Sequence, residues 1–338
     1  MPTPVGPDDS PATDPGGGAA PCGDRPTSAG GGATSRGAGA ASGGSAASGG
    51  SAASGAGAAS GGGAASGGST APWARLRIDL AYDGLPYVGF ARQPDQVTVQ
   101  GELELALGRL AGHPVATTCA GRTDRGVHAL AQVVHTDIDP GSKRGAKLLS
   151  QPMEVVRSRL DQQLGHAITI WQVRQVPRSF DARFDARMRG YRYRLVDATA
   201  ADPIRRNDRW QVTSPLSVPA MRAAAEPLLG EHDFASFCRK APGKTTRRRL
   251  DELAISRPSP GRIDIRLTGP AFCHQMVRAI VGCLEEVGAG RERPEFVGEV
   301  LHARDRAVAA RVAPAHGLTL ERVGYGRRWP AAPPAAYR

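Results

Sequence analysis

The 338 residues carry 43 Lys and Arg against 32 Asp and Glu, a net charge of +11. That balance favours a polyanionic partner, nucleic acid first, although an arginine-rich composition from a GC-rich genome gives the same number. No run of about 18 apolar residues occurs, which excludes a membrane-spanning helix, and five cysteines without a Cys-x-x-Cys pair suggest neither a disulfide framework nor a zinc knuckle.

Residues 1–72 are almost entirely Gly, Ala, Ser, Pro and Thr, with recurring Ala-Ala-Ser-Gly-Gly units. Without aromatic, Leu or Ile side chains they cannot bury enough apolar area to offset the entropy of ordering, so a disordered tail is expected. The tail lacks the basic start and apolar stretch of a secretory signal, and a cytoplasmic protein is the simplest reading. Four aspartates (Asp8, Asp9, Asp14, Asp24) against Arg25 and Arg36 make the tail −2, so the remainder carries +13.

From there the chain alternates between two periods. Leu76, Ile78, Leu80 and Tyr82 alternate with Arg75, Arg77 and Asp79, the pattern of a half-buried strand, and Asp83-Gly84 supplies a turn. Val99, Leu103, Ala106, Leu107 and Leu110 recur at helical spacing and predict a helix over 97–111. Strands follow near 114–121 and 131–138, a helix over 146–164 and a strand over 167–174. In the second half, Tyr191, Tyr193 and Leu195 mark a strand, 218–229 a helix, and Ile263, Ile265 and Leu267 another strand. A helix from Phe272 to Val287 takes Cys273 and Cys283 into its apolar pattern as small core residues; a helix near 293–303 and a strand near 317–324 close the chain. Strands and helices without regular βαβ alternation argue for an α+β protein. Two similar subdomains are expected, 73–185 and 186–326, each a mainly antiparallel sheet with helices on one face, followed by a flexible C-terminus, 327–338.

One stretch concentrates chemistry. Cys119-Ala120-Gly121-Arg122-Thr123-Asp124-Arg125-Gly126-Val127-His128-Ala129 holds a single carboxylate in a glycine-bracketed turn between two strands, with an arginine on either side. Positive charge nearby lowers an aspartate's pKa, and an ionised carboxylate facing a ribose can act as a nucleophile or steady an oxocarbenium-like centre. The same Thr-Asp-x-Gly context equally makes an Asx turn or a helix cap.

The run resembles the signature of the TruA family of tRNA pseudouridine synthases, and the resemblance covers nearly all of 75–325. It continues in Tyr82-Asp83-Gly84 with Gly89-Phe90-Ala91-Arg92-Gln93, in Phe180 to Tyr193 (FDARFDARMRGYRY), and in Gly230-Glu231-His232-Asp233-Phe234-Ala235-Ser236-Phe237. Phe272-Cys273-His274-Gln275-Met276-Val277-Arg278 and Ala315-His316-Gly317-Leu318-Thr319-Leu320 complete it. Two departures stand out. Phe90 and Ala91 replace the family's usual Trp-Gln, and 139–166 matches poorly and carries a longer basic-then-helical stretch.

The resemblance implies the pseudouridine synthase fold with an active-site cleft between the subdomains, and isomerisation of uridine to pseudouridine at positions 38–40 of the tRNA anticodon stem-loop. It implies no cofactor and no metal, and a homodimer in which one subunit helps to grip the tRNA of the other. Asp124 would be the nucleophile. Tyr191 would stack on the target base and serve as general base at C5; read from its strand alone it is a core aromatic. Arg278 would pair with Asp124; seven residues before Glu285, it could otherwise be a solvated surface arginine. Gly282, one turn later, leaves room for close approach of another element.

Leaving the stack costs a uridine a few kcal/mol. Arg122 is the candidate to fill the vacated space, or it simply pairs with Asp124. Arg92, Gln93, Lys240, Lys244, Arg247, Arg248 and Arg249 are candidates for phosphate contacts. A noncatalytic tRNA-binding protein is the alternative reading. A glycosidase would want a second carboxylate near Asp124, and no candidate stands out.

Overall fold

A nine-stranded sheet organises residues 73–326, which the computed structural model describes except for 201, 240–242 and 244. The expected tail (1–72), the C-terminus (327–338), Lys240 and Lys244 lie outside the described residues. In chain order the strands are β1 (Ala74–Tyr82), β2 (Thr117–Cys119), β3 (His128–Ile138), β4 (Ile168–Val176), β5 (Met188–Val196), β6 (Trp210–Gln211), β7 (Gly230–Asp233), β8 (Arg247–Leu250), β9 (Glu252–Ser259), β10 (Arg262–Gly269) and β11 (Leu318–Gly324). The helices are α1 (Val99–Ala111), α2 (Lys143–Leu149), α3 (Met153–Leu164), α4 (Val218–Ala225), α5 (Met276–Gly288) and α6 (Phe296–Ala303).

The sheet runs β4-β1-β3-β11-β5-β10-β9, with β2 on β3 and β6 on β5, while β7 and β8 form a separate ribbon. Pairing is antiparallel except between β3 and β11 and between β5 and β6. The α+β, mainly antiparallel architecture is therefore as expected. The two halves, however, share one sheet, because the last strand inserts between them. Leu320 of β11 faces Ala129 of β3 on one side and Tyr191 of β5 on the other. That register brings the strand that follows the aspartate loop within two strands of Tyr191.

β1 is buried along seven consecutive residues rather than on one face. Arg77 and Asp79, expected outside, are buried and bonded to each other at 2.8 Å, and Arg174 reaches Asp79 at 3.1 Å. The Arg77 guanidinium lies over the Phe180 and Tyr325 rings, 5.5 and 4.9 Å from their centroids. Charges enter a core when paired and stacked in this way.

α1 forms where its spacing predicts. Thr98 caps it by accepting from Gly101 N, Gly112 ends it at φ 77°, and Val99, Leu103, Ala106 and Leu107 are its buried stripe. The single helix expected over 146–164 is two, because Pro152 lacks the N–H to continue a helix and instead starts α3. α5 begins four residues later than expected. Gln275 adopts a left-handed φ of 66°, which makes 272–275 a loop. Cys273 thus leaves the helix; it is joined by a disulfide to Cys238, 35 residues away, whereas no disulfide was expected. No local motif could signal this pair, since it forms only where the 3-10 turn Ala235–Phe237 packs on that loop, with Arg239 N bonded to His274 O at 3.0 Å. Cys283 is a buried free thiol in the core, as read, and so is Cys119.

Candidate active site

Asp124 is held from below. Gln132, fully buried, donates to Gly121 O (2.7 Å) and to Tyr82 Oη (3.2 Å), and the Tyr82 hydroxyl shares a 2.8 Å hydrogen bond with Thr123 Oγ1. Phe90 N donates to Thr123 O and Val127 N to Asp124 O, closing the turn, with Gly126 at φ 76°. A Cβ on Gly84 would strike the Val127 carbonyl, so only glycine lets the 84–93 loop lie this close. Phe90, the departure from the usual Trp, is buried against Tyr82 and packs the loop.

An arginine and a histidine meet the carboxylate. Arg278 Nη1 donates to Oδ2 at 3.1 Å, and His274 Nε2 lies 3.3 Å from Oδ1. The side chains of Asp124, Arg278 and His274 are 22, 15 and 47 % exposed, so the group opens to solvent on the His274 side. Arg278 is not a free surface arginine. Its Nε donates to Ala313 O (2.8 Å) while its own carbonyl accepts from Ala313 N (3.1 Å). One turn on, a Cβ at Gly282 would collide with the Arg311 carbonyl, the close approach that the glycine anticipated.

Tyr191 is buried on β5, its ring edge-on to Phe272 with centroids 5.1 Å apart. Its hydroxyl borders Gly121, as does Arg189 Nε. Burial pushes the phenol well above its ordinary range; the Arg189 charge opposes that rise and the Asp124 charge adds to it. Tyr191 therefore begins as a neutral phenol.

Arg189 was not anticipated, and it ties the site together. Its buried guanidinium donates from Nε (3.0 Å) and Nη2 (2.6 Å) to Ala120 O, from Nη2 to Arg183 O (2.8 Å), and from Nη1 to Ala186 O (2.9 Å) and to Pro270 O. One side chain thus joins the aspartate loop, the segment before β5 and the loop that carries Phe272 and His274. Its acceptors are all backbone carbonyls, which no side-chain pattern could reveal. His274 did have a signal: it stands in the Phe272–Arg278 motif, but there it read as a helical position.

The remaining expected residues scatter. Arg122 is exposed and unpaired with Asp124, as is Arg125. Arg92 reaches Glu104 at 3.4 Å with most of its side chain in solvent, and Gln93 Nε2 donates to Val88 O. Arg248 is half-buried on β8 and donates to Arg247 O, so burial lowers its pKa, while Arg247 and Arg249 on either side are exposed. None of Arg92, Gln93 and Arg248 touches Asp124, Tyr191 or Arg278. No trio of His, Cys, Asp or Glu among the described residues is placed to hold a metal ion.

A carboxylate held between an arginine and a histidine beside a buried tyrosine, on a mainly antiparallel α+β sheet, makes this the candidate active site. The chain belongs to the tRNA pseudouridine synthase family, whose model matches 80–185 and 224–326. The matched stretches include Asp124, His274 and Arg278; Arg189 and Tyr191 fall between them. "tRNA pseudouridine synthase A" of Frankia casuarinae is 49% identical over 253 residues, 74% of this chain and 89% of that protein. Its namesake in Streptomyces avermitilis is 43% identical over 256 residues, 74% and 88% of the two chains. The solved archaeal box H/ACA sRNP Nop10–Cbf5 complex overlaps 73% of this chain and 48% of its own, at 11% identity and a TM-score of 0.30.

Proposed function

We propose that the protein isomerises uridine to pseudouridine in tRNA, at positions 38–40 of the anticodon stem-loop, with Asp124 as the nucleophile. The supporting observation is the clamp on Asp124. Arg278 and His274 each approach one carboxylate oxygen, and Tyr191 stands beside the loop. The names of its relatives and the basic charge agree with a tRNA substrate.

The target uridine leaves the stack, and Arg122, exposed on the rim, fills the space. The Asp124 carboxylate meets C1′ as the N1–C1′ bond breaks, the uracil turns in place, and C5 joins C1′. Tyr191 stacks on the base and takes the C5 proton, relaying its own phenol proton to solvent; Arg189 eases that loss. The Asp124–C1′ bond breaks as C5–C1′ forms, and N1 takes up a proton from solvent in place of the one lost from C5, so atoms and electrons balance and the reaction needs no cofactor. The reading carries with it a homodimer and a cytoplasmic setting.

Tritium release from C5-labelled uridine in tRNA tests it. The wild type should release tritium and Asp124→Ala should not. An active Asp124→Ala protein rejects the nucleophile, and wild-type protein that binds tRNA without forming pseudouridine is a binding protein instead.

A further inference from the structure

Phe184 has the most exposed aromatic ring among the described residues, 78% in solvent, on a backbone that is unusually well held. Asp181 Oδ1 accepts from Arg183 N (2.7 Å) and Phe184 N (2.8 Å), and Asp185 Oδ2 accepts from Asp181 N (2.9 Å). Beneath, Ala182 N donates to His135 Nδ1 (2.9 Å) and Tyr325 Oη to Ala182 O (2.7 Å). A loop pinned at this many points does not leave a large apolar ring outside through slackness.

The place and the charge of this ledge narrow its use. Arg189 Nη2 bonds both Arg183 O and Ala120 O, so Phe184 sits beside the start of the aspartate loop, next to the rim that carries Arg122. The Arg183 guanidinium lies over the Phe184 ring at 5.3 Å. Arg187 and Arg122 are exposed nearby, while the Asp181 and Asp185 carboxylates accept from the loop's own amides. An apolar ring with an arginine over it, among further arginines, suits a flat aromatic ligand on a phosphate chain better than a protein surface.

We infer that Phe184 and Arg183 form a stacking ledge for the unpaired RNA base that neighbours the everted target nucleotide. The inference rests on the function proposed above. Everting one nucleotide strips its neighbour of a stacking partner, and the ledge replaces it. A stack accepts any base, so the ledge supplies affinity and registers the strand without reading sequence.

The test uses full-length protein and an unmodified anticodon stem-loop RNA, with pseudouridine formation for kinetics and fluorescence anisotropy for binding. Phe184→Leu keeps apolar bulk without the π face; KM and Kd should rise on the order of tenfold while kcat changes little, and Phe184→Trp should restore both. Replacing the neighbouring nucleotide by an abasic one should weaken the wild type and leave Phe184→Leu unchanged. Wild-type KM and Kd in Phe184→Leu would overturn the inference. So would a Phe184→Leu protein that light scattering shows as monomer where the wild type is dimer, which would assign the ring to a second copy. If the wild type makes no pseudouridine, the proposed function fails, and the anisotropy comparison still decides the ledge.

Discussion

Gly282 on α5 packs directly against the carbonyl of Arg311, too close for any side chain, and that contact sets the position of Arg278 four residues earlier. The 311–313 segment lies on the helix at two points, the glycine and the paired Arg278–Ala313 hydrogen bonds, so a change at one is felt at the other. Gly282→Ala is expected to cost about 1–3 kcal/mol of stability through overpacking and to lower kcat by moving Arg278 off Asp124. A thermal melt and single-turnover pseudouridine formation check both; a variant with wild-type values in each would show that the segment gives way freely.

Arg278 uses two nitrogens for two tasks, Nε on Ala313 and Nη1 on Asp124. A lysine has a single ammonium and cannot serve both. Arg278→Lys should therefore lose kcat nearly as severely as Arg278→Met, on the order of 100-fold, with tRNA affinity altered only a few-fold. Full activity in the lysine variant would mean that charge alone suffices.

Tyr191→Phe keeps the ring that meets Phe272 and removes only the hydroxyl. Loss of a base should cost roughly 10²–10⁴ in kcat, with anticodon stem-loop binding retained. Near-normal turnover would reduce Tyr191 to a stacking wall.

His135 makes stability depend on pH. Burial, with the Arg75 charge behind it, holds its imidazole below 6.5, and Nδ1 accepts from Ala182 N–H, which requires the neutral ring. Above the unfolded value near 6.5 both states are neutral and this contribution is complete. As pH falls through that value the unfolded chain takes a proton that the fold refuses, so stability drops, levelling once the folded ring also protonates. Urea midpoints should fall between pH 7.5 and 5.5, and less so in His135→Asn, whose Oδ1 can accept the same hydrogen bond. His316, also lowered by burial, leaves some slope. An unaltered slope in His135→Asn would acquit His135.

Much of this protein was legible in order along the chain. The 3.6-residue spacing of Val99, Leu103 and Leu107 placed α1, and alternation placed β5 and β10, because burial on one side of a regular element imprints its own period. Alternation placed β1 too, although the charged residues between its apolar ones are buried as well. The β7–β8 ribbon escaped because its second strand reads Arg-Arg-Arg-Leu, charge where a strand pattern wants apolar residues. The start of α5 escaped because nothing local announces a glutamine in left-handed conformation.

The candidate site divides in the same way. Asp124, Tyr191 and Arg278 stood out through motifs, and the sequence by itself determined the α+β class and the basic charge. Only the tertiary structure decided that β11 would join the two halves, that Arg189 would bind four separate carbonyls, that Cys238 would meet Cys273 and that His274 would share Asp124. Periodicity reports which way a side chain faces, not which distant backbone oxygen or side chain waits there. Arg278 and Asp124 lie 154 residues apart along the chain, and only the folded sheet brings them within a hydrogen bond.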